Sequence, residues 1–203
     1  MTEAINNPNV LAAMAYKNNV KPESRLVIPV KTEEGKMIGM LSCLDHGAVA
    51  DLGIVADLTA WRKKFMRFFL TQFEATEART RAWLNDIVIP SIDRLLFTIC
   101  LPDGQRVGNF AMCNMTDDSG ELDNLIRGRK GGEPRLIYYC ELALLSWMFL
   151  FLGYRSANLH VFSNNHPTIR LHTSVGFEVV KHIPLTQRQS SGQVEYLLNN
   201  PEG

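Results

Sequence analysis

The chain has 203 residues, 46% hydrophobic and 21% charged, and its 21 Lys and Arg balance its 21 Asp and Glu. That length supports one domain with a sizeable core. Zero net charge excludes a general nucleic-acid or membrane-surface binder, so any basic patch must be local. The opening MTEAINNPNV has neither a basic start nor an apolar stretch, unlike a secretory signal. The four cysteines, Cys43, Cys100, Cys113 and Cys140, form no CxxC pair, and three lie in apolar runs. This predicts a reducing, cytoplasmic setting without a disulfide frame. His160, His166 and His172 recur every six residues, which suits neither one helix face nor zinc ligation, so no metal is expected.

Residues 1–24 are polar and Asn-rich, with a short helical candidate in NVLAAMAY. RLVIPV and KMIGMLSCL read as strands around a Gly-containing turn. In DLGIVADLTAWRKKFMRFFLTQF, Leu58, Trp61, Phe65, Phe68 and Phe69 fall at helical spacing, with Asp57 as the expected cap. TEARTRAWLNDIVIP reads as a second helix, opened by Thr76 or Thr71 and ended by Pro90. RLLFTICL, RVGNFAMCNM and ELDNLI form a three-strand meander with turns at PDGQ and TDDSG. A long helix then runs from about Pro134 to Gly153. Its 19-residue apolar core, Leu136 to Tyr154, is long enough to span a bilayer. Glu141 inside it would cost about 2.5–3.5 kcal/mol at mid-membrane, so a buried core helix is expected and no membrane. SANLHVFS is a strand. NNHPTIRLHTSVGF is a short helix with Asn165 as cap candidate, Pro167 in its first turn and Gly176 at its end. FEVVKHIPL and QVEYLLN close the chain as strands. This order predicts a single α/β domain, a mixed sheet with helices on both faces.

Two places carry candidate chemistry. Between ELDNLI and the long helix stand Arg127, Gly128, Arg129, Lys130, Gly131 and Gly132. A helix N-terminus offers unpartnered N–H groups at the positive end of its dipole, and glycines let a phosphate approach them. The joint is a pyrophosphate-cradle candidate, or else a solvated basic loop. It is neither a P-loop nor a dinucleotide fingerprint. In the strand before it, Glu121 and Asp123 share one face. One could attract an ammonium and the other accept its proton, or both could be solvated or paired with Arg127; Asn124 faces the other way.

The segment NNHPTIRLHTSVGF resembles the final motif of the GCN5-related N-acetyltransferases, with Asn165, Thr168, Leu171, His172, Gly176 and Phe177 at the family's positions. It lies about 30 residues after the basic loop, and with the element order the resemblance covers roughly Met40 to Leu198. Two departures stand out. The family's loop pattern, Gln/Arg-x-x-Gly-x-Gly/Ala, is met by Arg129 and Gly132 only in its first half, with Pro134 at the last small position. His172 replaces the tyrosine that often protonates the departing thiolate.

The resemblance implies a mixed, mostly antiparallel sheet with a splayed parallel strand pair, ELDNLI and NLHVFS flanking the wedge. Residues 1–40 would form an arm with a possible extra strand, and residues 41–203 the acyl-CoA N-acyltransferase domain. It implies acetyl-CoA as acyl donor, held by Leu125, Arg127, Gly128, Arg129, Lys130, Gly131, Gly132 and Asn165. Transfer would be direct to the primary amine of a small molecule, with Glu121, Asp123 and His172 as catalytic candidates and no metal; a homodimer is compatible. The Trp61–Arg62 pair and EARTRAWL resemble the subgroup of ribosomal-protein N-terminal and nucleotide-sugar amine acetyltransferases. There Trp61 and Arg62 would wall a nucleotide-linked amino sugar, unless Trp61 is core. A peptide N-terminus as acceptor, or a non-catalytic acyl-CoA-binding module, are the alternatives.

Overall fold

The computed structural model describes residues 4–18 and 25–199. Residues 1–3, 19–24 and 200–203, and with them part of the expected arm, lie outside the described residues. The elements are α1 (Pro8–Asn18), β1 (Val27–Lys31), β2 (Met37–Cys43), α2 (Leu52–Phe65), β3 (Thr71–Phe73), α3 (Glu77–Trp83, continued by a π-turn Leu84–Val88), β4 (Leu95–Cys100), β5 (Arg106–Cys113), β6 (Ser119–Arg127), α4 (Leu136–Leu150), β7 (Ser156–Leu159), α5 (His166–Ser174), β8 (Leu185–Ser190) and β9 (Gln193–Leu198).

Six strands form one sheet in the order β1-β2-β4-β5-β6-β7, and β3-β9-β8 form a second. Every neighbour in the large sheet is antiparallel except β6 and β7. All six residues of β4 are buried because helices cover both faces. On one side Leu95, Phe97 and Ile99 pack with α1 (Val10, Ala13, Met14) and α4 (Leu136, Cys140, Leu144, Met148). On the other, Leu96 packs with Ile54, Leu58 and Trp61 of α2 and with Leu84 and Val88 beyond α3. Burying apolar residues of both parities makes the central strands read as continuous apolar runs rather than alternating ones.

The parallel pair is short. Its register runs from Ser119↔Ser156 to Leu122↔Leu159 and stops, although β6 continues to Arg127. Just past that point Asn124 and Leu125 together oppose Phe110, between the pairs Ala111↔Asp123 and Asn109↔Ile126. This is a bulge, and Asn124 sits in it at φ 51°. The Asn109 side-chain amide donates to the Asn124 carbonyl at 2.5 Å and holds it. Past Leu122 the β7-facing edge of β6 has no ladder partner, and the bulge lies there, at the place of the expected wedge.

The apolar run after the glycine loop is a helix of 15 residues, α4, with Glu141 fully buried. Fifteen residues rise about 22 Å, short of a hydrocarbon core of about 30 Å. Among the described residues no helix is long and apolar enough to cross a membrane.

Three local expectations need correction. Asp51, not Asp57, caps α2, its carboxylate accepting from Ile54 N–H at 3.0 Å. The apolar spacing continues past the cap and hides it. The helix also ends at Phe65, so Phe68 and Phe69 lie beyond it, and Thr71–Phe73 pairs with β9 instead. FEVVKHIPL forms no strand before its last residue, Leu185, which opens β8: Val179 and Val180 are 65% and 94% exposed. The β8–β9 hairpin turns at Ser191 and Gly192, with Gly192 at φ 76°, and that turn recruits LTQRQS as the ladder partner.

Candidate active site

The loop leaving β6 is shaped by its neighbours. The N–H groups of Gly128 and Arg129 both donate to the Val107 carbonyl, at 2.8 and 3.0 Å. Gly128 lies directly on the Trp61 indole, and a Cβ there would meet the ring nitrogen at 2.2 Å. The Arg127 guanidinium donates to the carbonyls of Gly131 (2.8 Å) and Pro134 (3.3 Å), folding the loop back on itself. Arg129 pairs with the Asp57 carboxylate, which also takes Arg106 at 2.9 Å. Lys130 is exposed. The N–H groups of Gly131, Gly132 and Glu133 have no acceptor among the described residues, and α4 has no side-chain cap. Of the N–H groups expected to form a cradle over residues 127–132, those of Gly128 and Arg129 are thus already taken by Val107. Gly132 sits at φ 67°, a left-handed conformation that glycine adopts without strain. Leu125, in the bulge, packs on the core at the root of the wedge.

Glu121 and Asp123 do share a face, and neither pairs with Arg127. Glu121 accepts from the Asn114 amide at 2.8 Å on one oxygen and contacts His160 Nδ1 at 2.7 Å with the other. Asp123 accepts from Arg94 at 2.9 Å, from the Asn124 amide at 2.6 Å and from the Asn124 backbone N–H at 2.7 Å. Cys113 stands opposite Glu121 in the ladder. Burial, then the nearby Asp123 carboxylate, pushes its thiol pKa up to about 12. His160, Arg94 and Asn114 were not expected here. His160 lies one residue beyond β7 and 39 positions from Glu121, and only the parallel register brings the two together.

His172 does not face open solvent. Its Nδ1 meets Glu141 of α4 at 2.5 Å, and the ring packs edge-on against Phe177. The second Glu141 oxygen is buried without a partner. Asn165 occupies the cap position of α5 but makes no side-chain cap bond.

Trp61 and Arg62, expected to wall an acceptor, are both engaged within the fold. Trp61, 3% exposed, is core and the floor of the glycine loop, because α2 turns Ile54, Leu58 and Trp61 toward the sheet together. Arg62 donates to the Thr71 carbonyl at 2.9 Å and lies over the Phe69 ring at 3.4 Å. Burial lowers its pKa to about 10, opposed by the Asp123 charge. A cavity of about 300 Å³ opens nearby instead, lined by Arg67, Gln72, Phe162, Asn164, Gln187 and Tyr196. It lies between the turn after α2, the second sheet and the segment linking β7 to α5. No group of His, Cys, Asp or Glu among the described residues is arranged to hold a metal.

No family model matches the chain, and no curated protein matches it. Solved structures do. A probable GNAT-family acetyltransferase from Chromobacterium violaceum matches at TM-score 0.59 and 17% identity, over 90% of this chain and 88% of that one. Spermidine N-acetyltransferase from Vibrio cholerae, in complex with CoA and spermine, matches at TM-score 0.58 and 16% identity, over 78% and 94%. The ribosomal L7/L12 alpha-N-protein acetyltransferase RimL matches at TM-score 0.57 and 14% identity, over 85% and 93%. What these proteins share with the chain is the curled mixed sheet, its helices and the parallel pair β6–β7, which is the fold of the GCN5-related N-acetyltransferases.

Proposed function

We propose that the chain is an acetyl-CoA-dependent N-acetyltransferase, acting directly on a primary amine. The observation that carries this reading is the wedge. The parallel pair ends at Leu122↔Leu159, just before a bulge in β6, with glycine-loop N–H groups that have no acceptor among the described residues beyond one strand and titratable side chains beside it. The residues fit acetyl-CoA. The N–H groups of residues 131–133 and the Lys130 ammonium would take the pyrophosphate. The unpaired edge of β6 after Leu122 would take the pantetheine amides, with Asn165 at the far side. A covalent acyl-cysteine route is disfavoured, because all four thiols are buried and burial raises Cys43, Cys113 and Cys140 to about 12. Direct attack needs only a neutral amine and a thiolate that can leave.

For the acceptor, a nucleotide-linked amino sugar is the preferred class. The 300 Å³ cavity carries Arg67, polar amides and two aromatic rings, and no carboxylate. That lining suits a phosphorylated acceptor with a flat base and suits a polycation such as spermine poorly. A peptide N-terminus is the second reading, favoured by the likeness to RimL. The test is thiol release from acetyl-CoA with uridine-diphosphate-linked amino sugars, peptides with free N-termini and polyamines. Turnover with the first class alone supports the full reading, and turnover with peptides alone moves the acceptor. Tight acetyl-CoA binding with no turnover on any amine would leave a binding module.

A further inference from the structure

We infer that the proton acceptor for the incoming amine is Nε2 of His160, held in place by Glu121, and that neither strand carboxylate takes the proton itself. The inference rests on the acyl-transfer reading above.

The geometry makes the division of labour. His160 is the first residue past Leu159, where the parallel ladder ends and the wedge opens. Glu121 is in register with Asn158, so His160, two residues on, returns to the face that Glu121 occupies. Their side chains meet at 2.7 Å, with His160 44% exposed and Glu121 17% exposed. Glu121 also accepts the Asn114 amide on its other oxygen, as an ionised carboxylate does. An acceptor-only partner selects the imidazole tautomer with its proton on Nδ1, which leaves the Nε2 lone pair free. A carboxylate that orients an imidazole in this way is a positioning residue.

The alternatives are already engaged. Glu121 is engaged by Asn114 and His160, and Asp123 by Arg94 and by the side chain and backbone of Asn124. His172 is paired with Glu141 inside the fold and is only 7% exposed, against 44% for His160. The Cys113 thiol, at about 12, is neutral and buried. The charged groups around this face are Glu121 and Asp123 from β6, Asp93 and Arg94 from the segment before β4, and Arg62 from α2, which interacts with Asp123. Arg94 and Asp123 neutralise each other at 2.9 Å.

The step balances as follows. An alkylammonium gives one proton to His160 Nε2, and its freed lone pair attacks the acetyl carbonyl carbon. The C–N bond forms, the C–S bond breaks, and the thiolate leaves with the bonding pair. The second amine proton neutralises the thiolate, and the imidazolium returns its proton to solvent.

The test uses the whole chain, wild type, His160→Gln and Glu121→Gln, with the amine panel named above. Acetyl-CoA affinity is followed by calorimetry and the imidazole by nitrogen-15 NMR. His160→Gln should lower kcat about 10²–10³-fold near pH 7, with acetyl-CoA affinity within twofold and an unchanged melting curve. The deficit should shrink as pH rises and the amine loses its proton unaided. Glu121→Gln should shift the His160 ring toward the Nε2–H tautomer and lower kcat less than His160→Gln does. Full kcat with an unchanged pH profile in His160→Gln overturns the inference, as does an Nε2–H tautomer in the wild type. A wild type that turns over no amine overturns the acyl-transfer reading and this role with it. In that event the ring tautomer still reports whether Glu121 orients His160.

Discussion

Replacing Lys17 by Met should destabilise the protein by about 1.5–6 kcal/mol. Lys17 is 1% exposed, and its ammonium donates to the carbonyls of Val88 (3.2 Å), Ser91 and Arg94 (2.9 Å). It ties α1 to the segment that leads into β4. Three charge-assisted bonds contribute roughly 1.5–3 kcal/mol each. Against them stands the desolvation of the ammonium. Burial lowers its pKa from 10.5 to about 8, partly offset by Cys43 and Asp93, and that shift of about 2.5 units corresponds to roughly 3 kcal/mol. The difference is the expected loss, measured by urea denaturation at pH 7. The same shift sets a pH dependence. Above pH 8 the folded chain loses the Lys17 proton while the unfolded chain keeps it up to 10.5, so stability rises with pH across that window. Wild type should therefore gain about 2.5 kcal/mol relative to Lys17→Met between pH 7 and pH 10. A variant as stable as wild type at pH 7, with a parallel pH profile, would refute the reasoning. It would mean that the carbonyls find other donors and that the buried charge contributes nothing.

Gly128→Ala should cost about 1–3 kcal/mol, from forcing a methyl against the Trp61 ring, and should weaken acetyl-CoA binding by displacing the loop; denaturation and calorimetry read the two effects. Lys130→Glu should weaken acetyl-CoA binding about tenfold, from roughly 1.5 kcal/mol for one charge-assisted bond; Arg129→Glu should act instead on stability, because Arg129 is held by Asp57. Glu141→Ala should cost about 3–5 kcal/mol by stranding the buried His172, visible as a large drop in melting temperature.

Much of the fold is legible along the chain because it depends on local pattern. The runs RLLFTICL and RVGNFAMCNM read as strands between turn signals, and Glu141 in an apolar run pointed to a core helix. Thr76 opens α3 as its side chain suggested, accepting from Arg79 N–H at 3.3 Å. The Asn165-to-Phe177 pattern, with the basic glycine joint, pointed to the fold. The features that make a site were decided by tertiary structure. The bulge at Asn124 and Leu125 has no strong local signal, since it is defined by what stands opposite on β5. His160 meets Glu121 only because two strands far apart in the chain lie parallel in one register. Asp57 looked like a cap because capping is local, yet its work is to hold Arg106 and Arg129 from two other elements. Trp61 shows an aromatic at helical spacing, and nothing in the spacing says whether it faces a substrate or the underside of Gly128. Periodicity reports which face of an element is apolar; which charged groups converge above that face depends on long-range pairing, and that is what brings His160 to Glu121.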